Sequence, residues 1–413
     1  MATFEETRTQ RVQRHFEVLE IDLPVITGAC TLGSSQGYGT PLTCDQEWSG
    51  EYKTYYFTNE NPPLLPSVNG EPIWRVIKKI NESATELKPG RGLSARGSLN
   101  ITFTDFKNQD PNTYAPAVDE LVKSQGTYFG KMDARQIFEN RDTRLKLYRV
   151  EEDGTIDLVN GAETRHYLSN AFRLNASSGD WVLECKDVLS VANLDEKSWP
   201  IATNGYIRLD IDENTTAIPV DGETDYSDIF AIRIGEEFLP VISVADNLTS
   251  TAVLTVATRG APINAPISGV RLTSTLKSDH SAGDEVFICE LSDDETIDSL
   301  ITRVLIDSDV DSLIIPSAEW AAEVLEWHTL DKINTLHSES ESVNDVLNRI
   351  LTGFLMDLWF STTENKIKLS AISVWKESTA SLTEGKEINS ETISKSPDDS
   401  LRASRALVLY DKR

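Results

Sequence analysis

Apolar and polar residues alternate with one period in the first two thirds of the chain and with another in the last third. The early signal has period two, the mark of half-buried strands. Phe16 to Leu23 is an apolar-rich run, Lys53 to Phe57 carries Tyr55, Tyr56 and Phe57, and Ile73 to Ile80 reads as one strand. Leu99, Ile101 and Phe103 alternate with Asn100 and Thr102. Leu145 to Val150 extends the series, and Ala171 to Leu174 and Trp181 to Cys185 predict a hairpin across Ser177-Ser178-Gly179-Asp180. Ala117 to Lys123 reads as a short helix. Between the first two strands, Gly28 to Thr43 is rich in Gly, Ser and Thr and predicts a long loop, and Pro62, Pro63 and Pro66 mark a boundary.

From Trp199 to about Cys289 the pattern stays β and predicts a separate small β-domain. Ile207, Leu209 and Ile211 alternate with Arg208 and Asp210, Phe230 to Leu239 reads as two strands turning at Gly235, and Val253 to Val256 adds another. At about Leu291 the period becomes helical. Ser292-Asp-Asp-Glu295 has the form of a capping box ahead of Ile297, Leu300, Ile301, Val304 and Leu305, one apolar stripe of a helix. Pro316-Ser317 opens a second helix through Trp320, Val324, Leu325 and Trp327, and Val343, Val346, Leu347, Ile350, Leu351 and Phe354 define a third. Asp293, Asp298, Asp307, Asp309, Asp311, Glu319, Glu323 and Glu326 are then expected on exposed faces and turns. Strands Asp357 to Phe360 and Lys366 to Trp375 follow. A last run, Ala406 to Tyr410, predicts a strand at the very end and reads as a shortened chain. The expected fold is mainly β with an α+β C-terminal region. Four units are expected: an N-terminal arm with a cysteine loop (1–65), a β-rich domain (66–197), a small inserted β-domain (198–289) and an α+β domain (290–413).

Composition narrows the function classes. Of 413 residues, 39 % are hydrophobic and 25 % charged, a globular balance. Basic residues number 39 against 66 acidic, a net charge of −27 with no basic stripe, which argues against a sequence-reading nucleic-acid binder. The charge is uneven: Leu291 to Ile350 holds 14 acidic and 3 basic residues, whereas Pro66 to Val150 holds 10 acidic and 14 basic. Such an acidic block is either a solvated face or a surface that repels nucleic acid or pairs with a basic partner. No apolar run approaches the roughly 18 residues of a membrane-spanning helix. Met1 to Arg14 is polar and charged with no apolar signal core behind it, so folding in a cytoplasm is expected.

Motifs for catalysis are scarce. The five histidines, His15, His166, His280, His328 and His337, fall in no metal-binding spacing. There is no Gly-x-Ser-x-Gly elbow, and Gly126-Thr-Tyr-Phe-Gly130-Lys131 has the glycines of a phosphate loop at the wrong spacing. Asp210-x-Asp212-x-Asn214 and Asp307-x-Asp309-x-Asp311 begin like calcium loops but lack the glycine at the sixth position and the glutamate at the twelfth. No motif supports an enzyme. Cys30, Cys44, Cys185 and Cys289 are the candidate metal ligands, and three arrangements are open for them. They are free thiols, with Cys185 and Cys289 among apolar neighbours; or Cys30 and Cys44 form a disulfide in an oxidising exterior; or the set holds a metal or an iron–sulfur cluster.

Several strings taken together carry a resemblance. Arg14 to Pro24 followed by Cys30 and Thr43-Cys44-Asp45, Gly126 to Lys131 with Arg135, and Lys186-Asp187-Val188-Leu189 are three of them. Thr258-Arg259-Gly260-Ala261 with His280-Ser-Ala-Gly-Asp-Glu-Val286, and Cys289 one strand later, complete the set. In this order they resemble the baseplate or tail-tip hub proteins of long-tailed, siphovirus-type bacteriophages and related gene transfer agents. The resemblance implies a multi-domain hub architecture, a non-enzymatic structural protein of the virion tail tip, and assembly in the host cytoplasm. It also implies a homotrimer that closes the tail tube, contacts the distal tail protein, the tape-measure protein and the tail fibre, and takes part in tail assembly and DNA ejection. Some such proteins hold an iron–sulfur cluster through cysteines, but this chain lacks their further cysteines between Cys30 and Cys44. A cell-wall hydrolase of the tail and a receptor-binding adhesin of the same particle are the alternative readings.

Overall fold

A computed structural model describes residues 14–27, 47–60, 67–68, 70–83, 93, 97–106, 127–133, 138, 140–150, 156, 162–191, 196–221, 226, 229–248 and 251–372. The fold is mostly β with a few helices.

Strands β1 (Arg14–Thr27), β2 (Glu47–Thr58), β3 (Ser67–Val68), β4 (Glu71–Arg75), β5 (Ile77–Ser83), β6 (Ser98–Phe103), β7 (Asp142–Val150), β8 (Ala162–Asn175) and β9 (Asp180–Lys186) form one nine-stranded sheet. Its order is β3-β4-β2-β1-β7-β8-β9-β6-β5. All pairings are antiparallel except that of β2 with β4. The order has a consequence for shape. Only Val76 separates β4 from β5, yet they lie toward opposite ends of the sheet. Val76 N–H donates to Thr58 O on β2 (3.1 Å), and Val76 O accepts from Thr104 N beyond β6 (2.8 Å). The sheet therefore curls until its two ends meet on one continuous segment, as a barrel wall does.

This curvature explains why the run Phe16 to Leu23 is apolar at almost every second position on both faces. Leu19, Ile21 and Leu23 point into the barrel with Phe57, Leu99, Ile101, Phe103 and Leu183. Phe16 and Val18 face the other way, against Tyr56, Ile73 and Tyr148. A short helix α1 (Tyr128–Asp133) lies over the interior, with Phe129 buried among Phe57, Phe103 and Phe172 at ring separations of 5.8, 4.9 and 5.8 Å. The segment 1–65 expected as a separate arm is thus part of the barrel wall where it is described. Period-two patterning marks a strand but carries nothing about its partner. The expected single strand Ile73 to Ile80 is likewise two strands, broken at Val76 where the chain passes from one end of the sheet to the other.

β10 (Ser198–Trp199) leads into a second sheet made of β11 (Tyr206–Ile207), β12 (Ala217–Asp221), β13 (Ala231–Ile234), β14 (Glu237–Leu248), β15 (Thr251–Val256), β18 (Val286–Glu295) and β19 (Ile333–His337). A small ladder, β16 (Ile263–Asn264) and β17 (Arg271–Thr273), lies between β15 and β18 in sequence. The order β11-β12-β15-β14-β13-β18-β19 also closes. Ile207 N donates to Asp284 O and Val286 N to Gly205 O, each at 2.9 Å, so β11 meets the start of β18. Ile207, Ile218, Val220, Ile232, Leu239, Leu254 and Val286 fill the interior. The expected turn at Gly235 joins β13 to β14, with φ of 57°, a conformation glycine adopts without a Cβ clash. Leu209 departs from the expected alternation: Ile207 and Ile211 are buried, but Leu209 is 59 % exposed because the strand ends at Ile207.

Strand β18 also moves the expected domain boundary. Its first half pairs with β13 and its second half, Glu290 to Glu295, with β19. The 289/290 border therefore falls inside one strand. Helix α3 (Ile297–Asp307) begins at once after it, followed by α4 (Ser317–Trp327), β20 (Glu341–Ser342), α5 (Val343–Gly353), β21 (Met356–Ser361) and β22 (Lys366–Ala371). A four-residue helical turn, α2 (Val188–Val191), had already delivered Leu189 to this unit. The expected stripe Ile297, Leu300, Ile301, Val304 and Leu305 is wholly buried, as are Val343, Val346, Leu347, Ile350 and Leu351. Leu325 on α4 is an exception, at 66 % exposed.

The expected capping box before α3 does not form. Thr296 is the N-cap and makes no side-chain cap bond, while Ser292 and Glu295 stay in β18 and bind Arg303. A side-chain cap occurs at α5 instead: Ser342 Oγ accepts from Asp345 N (3.1 Å) and donates to Asp345 Oδ2 (2.7 Å). Several of the carboxylates expected simply on exposed faces have structural partners. Asp307 accepts from Trp199 Nε1, Glu319 pairs with Lys366 and Lys368, and Glu323 accepts from Ala371 N. The run Ala117 to Lys123, the loop Gly28 to Thr43, Pro62, Pro63, Pro66, Trp375 and the strand Ala406 to Tyr410 lie outside the described residues.

Packing of this kind makes a clear contrast in mutants. Leu347→Ala in α5 removes a fully buried side chain and is expected to cost about 2–5 kcal/mol in urea unfolding. Leu325→Ser on the exposed face of α4 is expected to change stability by no more than about 0.5 kcal/mol.

Candidate functional site

The four cysteines are placed apart where they are described. Cys185 lies on β9 in the interior of the first barrel, and Cys289 lies on β18 in a small cluster with Ala231 and Ile263. Both are free and buried, and they belong to different cores, so the structure does not bring them to one ligand set. Burial pushes each thiol up to about 12, against a hydrogen bond to Thr143 at Cys185 and the Arg233 charge at Cys289. A protonated thiol is neither a nucleophile nor a metal ligand at neutral pH. Cys30 and Cys44 lie outside the described residues. Among the described residues, no group of three or more His, Cys, Asp or Glu is arranged to hold a metal ion.

The two acidic ladders are taken up by backbone and side-chain partners. Asp212 Oδ1 accepts from Asn214 N (3.0 Å) and Thr215 Oγ1 (2.8 Å), and these bonds hold its carboxyl below the usual carboxylate range. Asp309 pairs with Lys197 at 2.8 Å, and Asp311 accepts from Leu313 N at 2.9 Å. Each carboxylate secures a separate turn.

What the structure does bring together is the pair of strings around Arg259 and His280, on a residue that sequence reading passed over. Glu237 begins β14, and its side chain is fully buried on the same face as Leu239. Arg259 grips it with Nε to Oε1 at 3.0 Å and Nη2 to Oε2 at 2.5 Å. The same guanidinium donates to Asp212 O and Ser278 O. Oε2 also accepts from Ser278 N (3.2 Å) and from His280 Nε2 (2.9 Å). Burial pushes the Glu237 carboxyl up, but the bonds from Arg259, His280 and Ser278 outweigh it and hold the group below its ordinary 4.5. One signal in the sequence pointed here: an acidic residue two positions before Leu239, on what the alternation makes an inward face.

Ser278, His280 and Asp284 have the make-up of a hydrolytic triad, with Ser278 Oγ 3.3 Å from Nε2 and Asp284 Oδ2 3.7 Å from Nδ1. The hydrogen bonds argue against that role. A carboxylate only accepts, so the 2.9 Å contact with Glu237 requires Nε2 to carry the proton. A protonated Nε2 has no lone pair with which to take one from Ser278. The arrangement locks two loops to β14.

The other resemblance strings also occupy joints. Asp187 Oδ2 accepts from Gly97 N and Oδ1 from Ser190 N, both at 2.8 Å, while Leu189 enters the core of the C-terminal unit. On β1, Asp22 and Glu20 hold Arg144 of β7, with Arg144 Nη1 2.7 Å from Asp22 Oδ2 and Nε 3.0 Å from Glu20 Oε2. Burial lowers the Arg144 guanidinium, but the two carboxylates reverse this and raise it further. Between the first barrel and the C-terminal unit lies a cleft of about 570 Å³, lined by Asp142, His166, Lys197, Asp309, Asp311 and Leu313 among others. Burial and the nearby Arg144 charge hold His166 below its ordinary value, and Lys197 is committed to Ser308 O and Asp309. Compared with protein-family models and with curated protein sequences, the chain matches none.

Glu237→Ala would leave the Arg259 charge buried without its partner, an expected loss of about 3–5 kcal/mol in urea unfolding. The stability that Glu237 contributes is present above its unfolded value near 4.5 and is lost as pH falls through its lowered native value. Wild-type stability is therefore expected to drop below pH 4.5, and E237Q to show a smaller part of that drop. For the thiols, a C30S/C44S variant treated with a thiol-specific disulfide reagent is expected to react at neither Cys185 nor Cys289 until denatured.

Proposed function

We propose that this chain is a structural hub at the tip of a long bacteriophage tail. In this reading three copies close the tail tube by heterologous contacts around a three-fold axis, against the distal tail protein, the tape-measure protein and the tail fibre. The observation that carries the reading is the convergence of two resemblance strings, Thr258–Ala261 and His280–Val286, on the buried Glu237. Residues spent on a buried clamp are those an architecture needs, so a resemblance through them is a resemblance of construction. Phe129 of the string 126–131, buried in the first barrel's interior, and Leu189 of the string 186–189, in the core of the C-terminal unit, support it in the same way. The net charge of −27 also fits a channel component, since an acidic wall has no cations to exchange for DNA counterions.

The test is placement in the particle. Antibodies raised against the purified protein are expected to label long-tailed particles at the tail tip, and image averaging there is expected to show three copies. Label on the capsid, the tube or a side fibre, or six copies at the tip, overturns the reading. A fall in turbidity of purified peptidoglycan treated with the isolated protein would replace it with a wall hydrolase. Direct binding of the isolated protein to host cells would replace it with an adhesin.

A further inference from the structure

Helix α4 is apolar on two opposite faces, and only one of them is covered. Trp320 and Val324 face inward, where the helix packs on α3 and β22. On the other side Ala318, Ala321, Ala322 and Leu325 follow the spacing i, i+3, i+4, i+7, and all four are exposed, Leu325 by 66 %. A helix that is apolar all round is one that is buried all round, so this outward stripe calls for a cover. Three glutamates border it. Glu319 is paired with Lys366 and Lys368, and Glu323 accepts from Ala371 N. Glu326, next to Leu325, is exposed and its carboxylate has no partner among the described residues.

A surface of the matching kind lies on the second barrel, at the turn of the β16–β17 hairpin. Pro266 to Val270 are all exposed, Ile267 by 78 % and Val270 by 44 %. Yet the turn is firmly held. Gly269 N donates to Ala265 O (3.0 Å) and Ala265 N to Val270 O (2.9 Å). Asp293 of β18 accepts from the N–H groups of both Ile267 (2.5 Å) and Ser268 (3.0 Å). These bonds fix the turn to β18 with Ile267 in solvent, so ordering it on a partner costs little conformational entropy. Arg271 follows at once, exposed, and its guanidinium also has no partner among the described residues.

We propose that the β16–β17 turn of one copy of this chain docks on the outward face of α4 of a second copy: Ile267 and Val270 sit on Ala318, Ala322 and Leu325, and Arg271 pairs with Glu326. Both surfaces are open to solvent, so within one chain neither covers the other. The short side chains of the alanines leave room for a β-branched knob, with Leu325 as a wall beside it. Each surface also carries one unspent charge, and the two are of opposite sign, which fixes the direction of docking. Because the surfaces differ, the contact is heterologous: it repeats head to tail and closes into a ring where the rotation allows. Such a contact is of the kind that the tail-tip reading requires, but it is argued from the two surfaces alone and is tested without the particle.

One turn on one helix face buries less than the roughly 1,000 Å² of a stable interface, so the contact is best trapped covalently. Full-length chains in the C30S/C44S background carry Ile267→Cys on a tagged copy and Leu325→Cys on an untagged one, and are treated with a short bis-maleimide. The mixed product is expected to exceed the self-product of either variant. It is also expected to exceed the product of Leu209→Cys with Leu325→Cys, which measures random collision between exposed sites. Arg271→Glu on the Ile267→Cys chain is expected to cut the mixed yield about fivefold, and Glu326→Arg on its partner to restore it. All these positions are exposed, so folding is not at stake, and the C30S/C44S parent shows that Cys185 and Cys289 stay silent. A mixed yield no higher than the collision control overturns the proposal, as does one that Arg271→Glu leaves unchanged or Glu326→Arg does not rescue. An excess of the Leu325→Cys self-product overturns it too, in favour of two α4 faces packed on each other. None of these outcomes depends on where a particle carries the protein.

Discussion

An antiparallel sheet of many strands has two edges whose N–H and C=O groups need partners, and this molecule meets that demand by closure. In the first barrel the chain runs from β4 to β5 through one residue, Val76, whose N–H and C=O reach across to β2 and to the end of β6. In the second, β11 meets the beginning of β18. Most else in the architecture depends on these closures. Only a curled sheet gives β1 two apolar surroundings, and only a closed interior explains why the aromatic rings of Phe57, Phe103, Phe129 and Phe172 gather at one place.

Charge is used sparingly inside, and the buried charges tie separate segments together, in ion pairs or, at Asp187, through backbone amides. Glu237 and Arg259 are almost wholly shielded from solvent, a placement tolerable because each of the three guanidinium nitrogens finds an acceptor. The Arg144 group does the same work between β1 and β7 in a less buried setting. Such pairs add little net stability over a well-packed apolar alternative, but they specify which loop meets which strand. That specificity matters in a fold made of many similar strands, where a slip by one residue would turn each side chain to the wrong face.

The junction around Trp199 is built differently. Instead of a fully matched pair it combines an indole, two guanidinium groups and an imidazole, next to a cleft. Its polar contacts are part-exposed, unlike those around Glu237. Strand β18, shared by the second barrel and the C-terminal unit, is the mechanical link between them.

Local pattern determined a good deal by itself. The strands at Phe16, Leu99, Leu145 and Trp181, the turn at Gly235, and the buried stripes of α3 and α5 follow from residue period and turn chemistry, because those are properties of neighbours in sequence. The candidate site was legible in part: Arg259 and His280 stood out, yet Glu237, which joins them, did not. Its significance depends on a contact across 22 residues to Arg259 and 43 to His280, and no local period encodes such distances. The same reason accounts for the rest. The capping box at Ser292 failed because Arg303, on the very helix it would cap, competes for Ser292 and Glu295. The border at Cys289 failed because β18 finds different partners for its two halves. Barrel closure and the separation of Cys185 from Cys289 were decided by tertiary contacts alone, since each depends on which distant strand lies alongside.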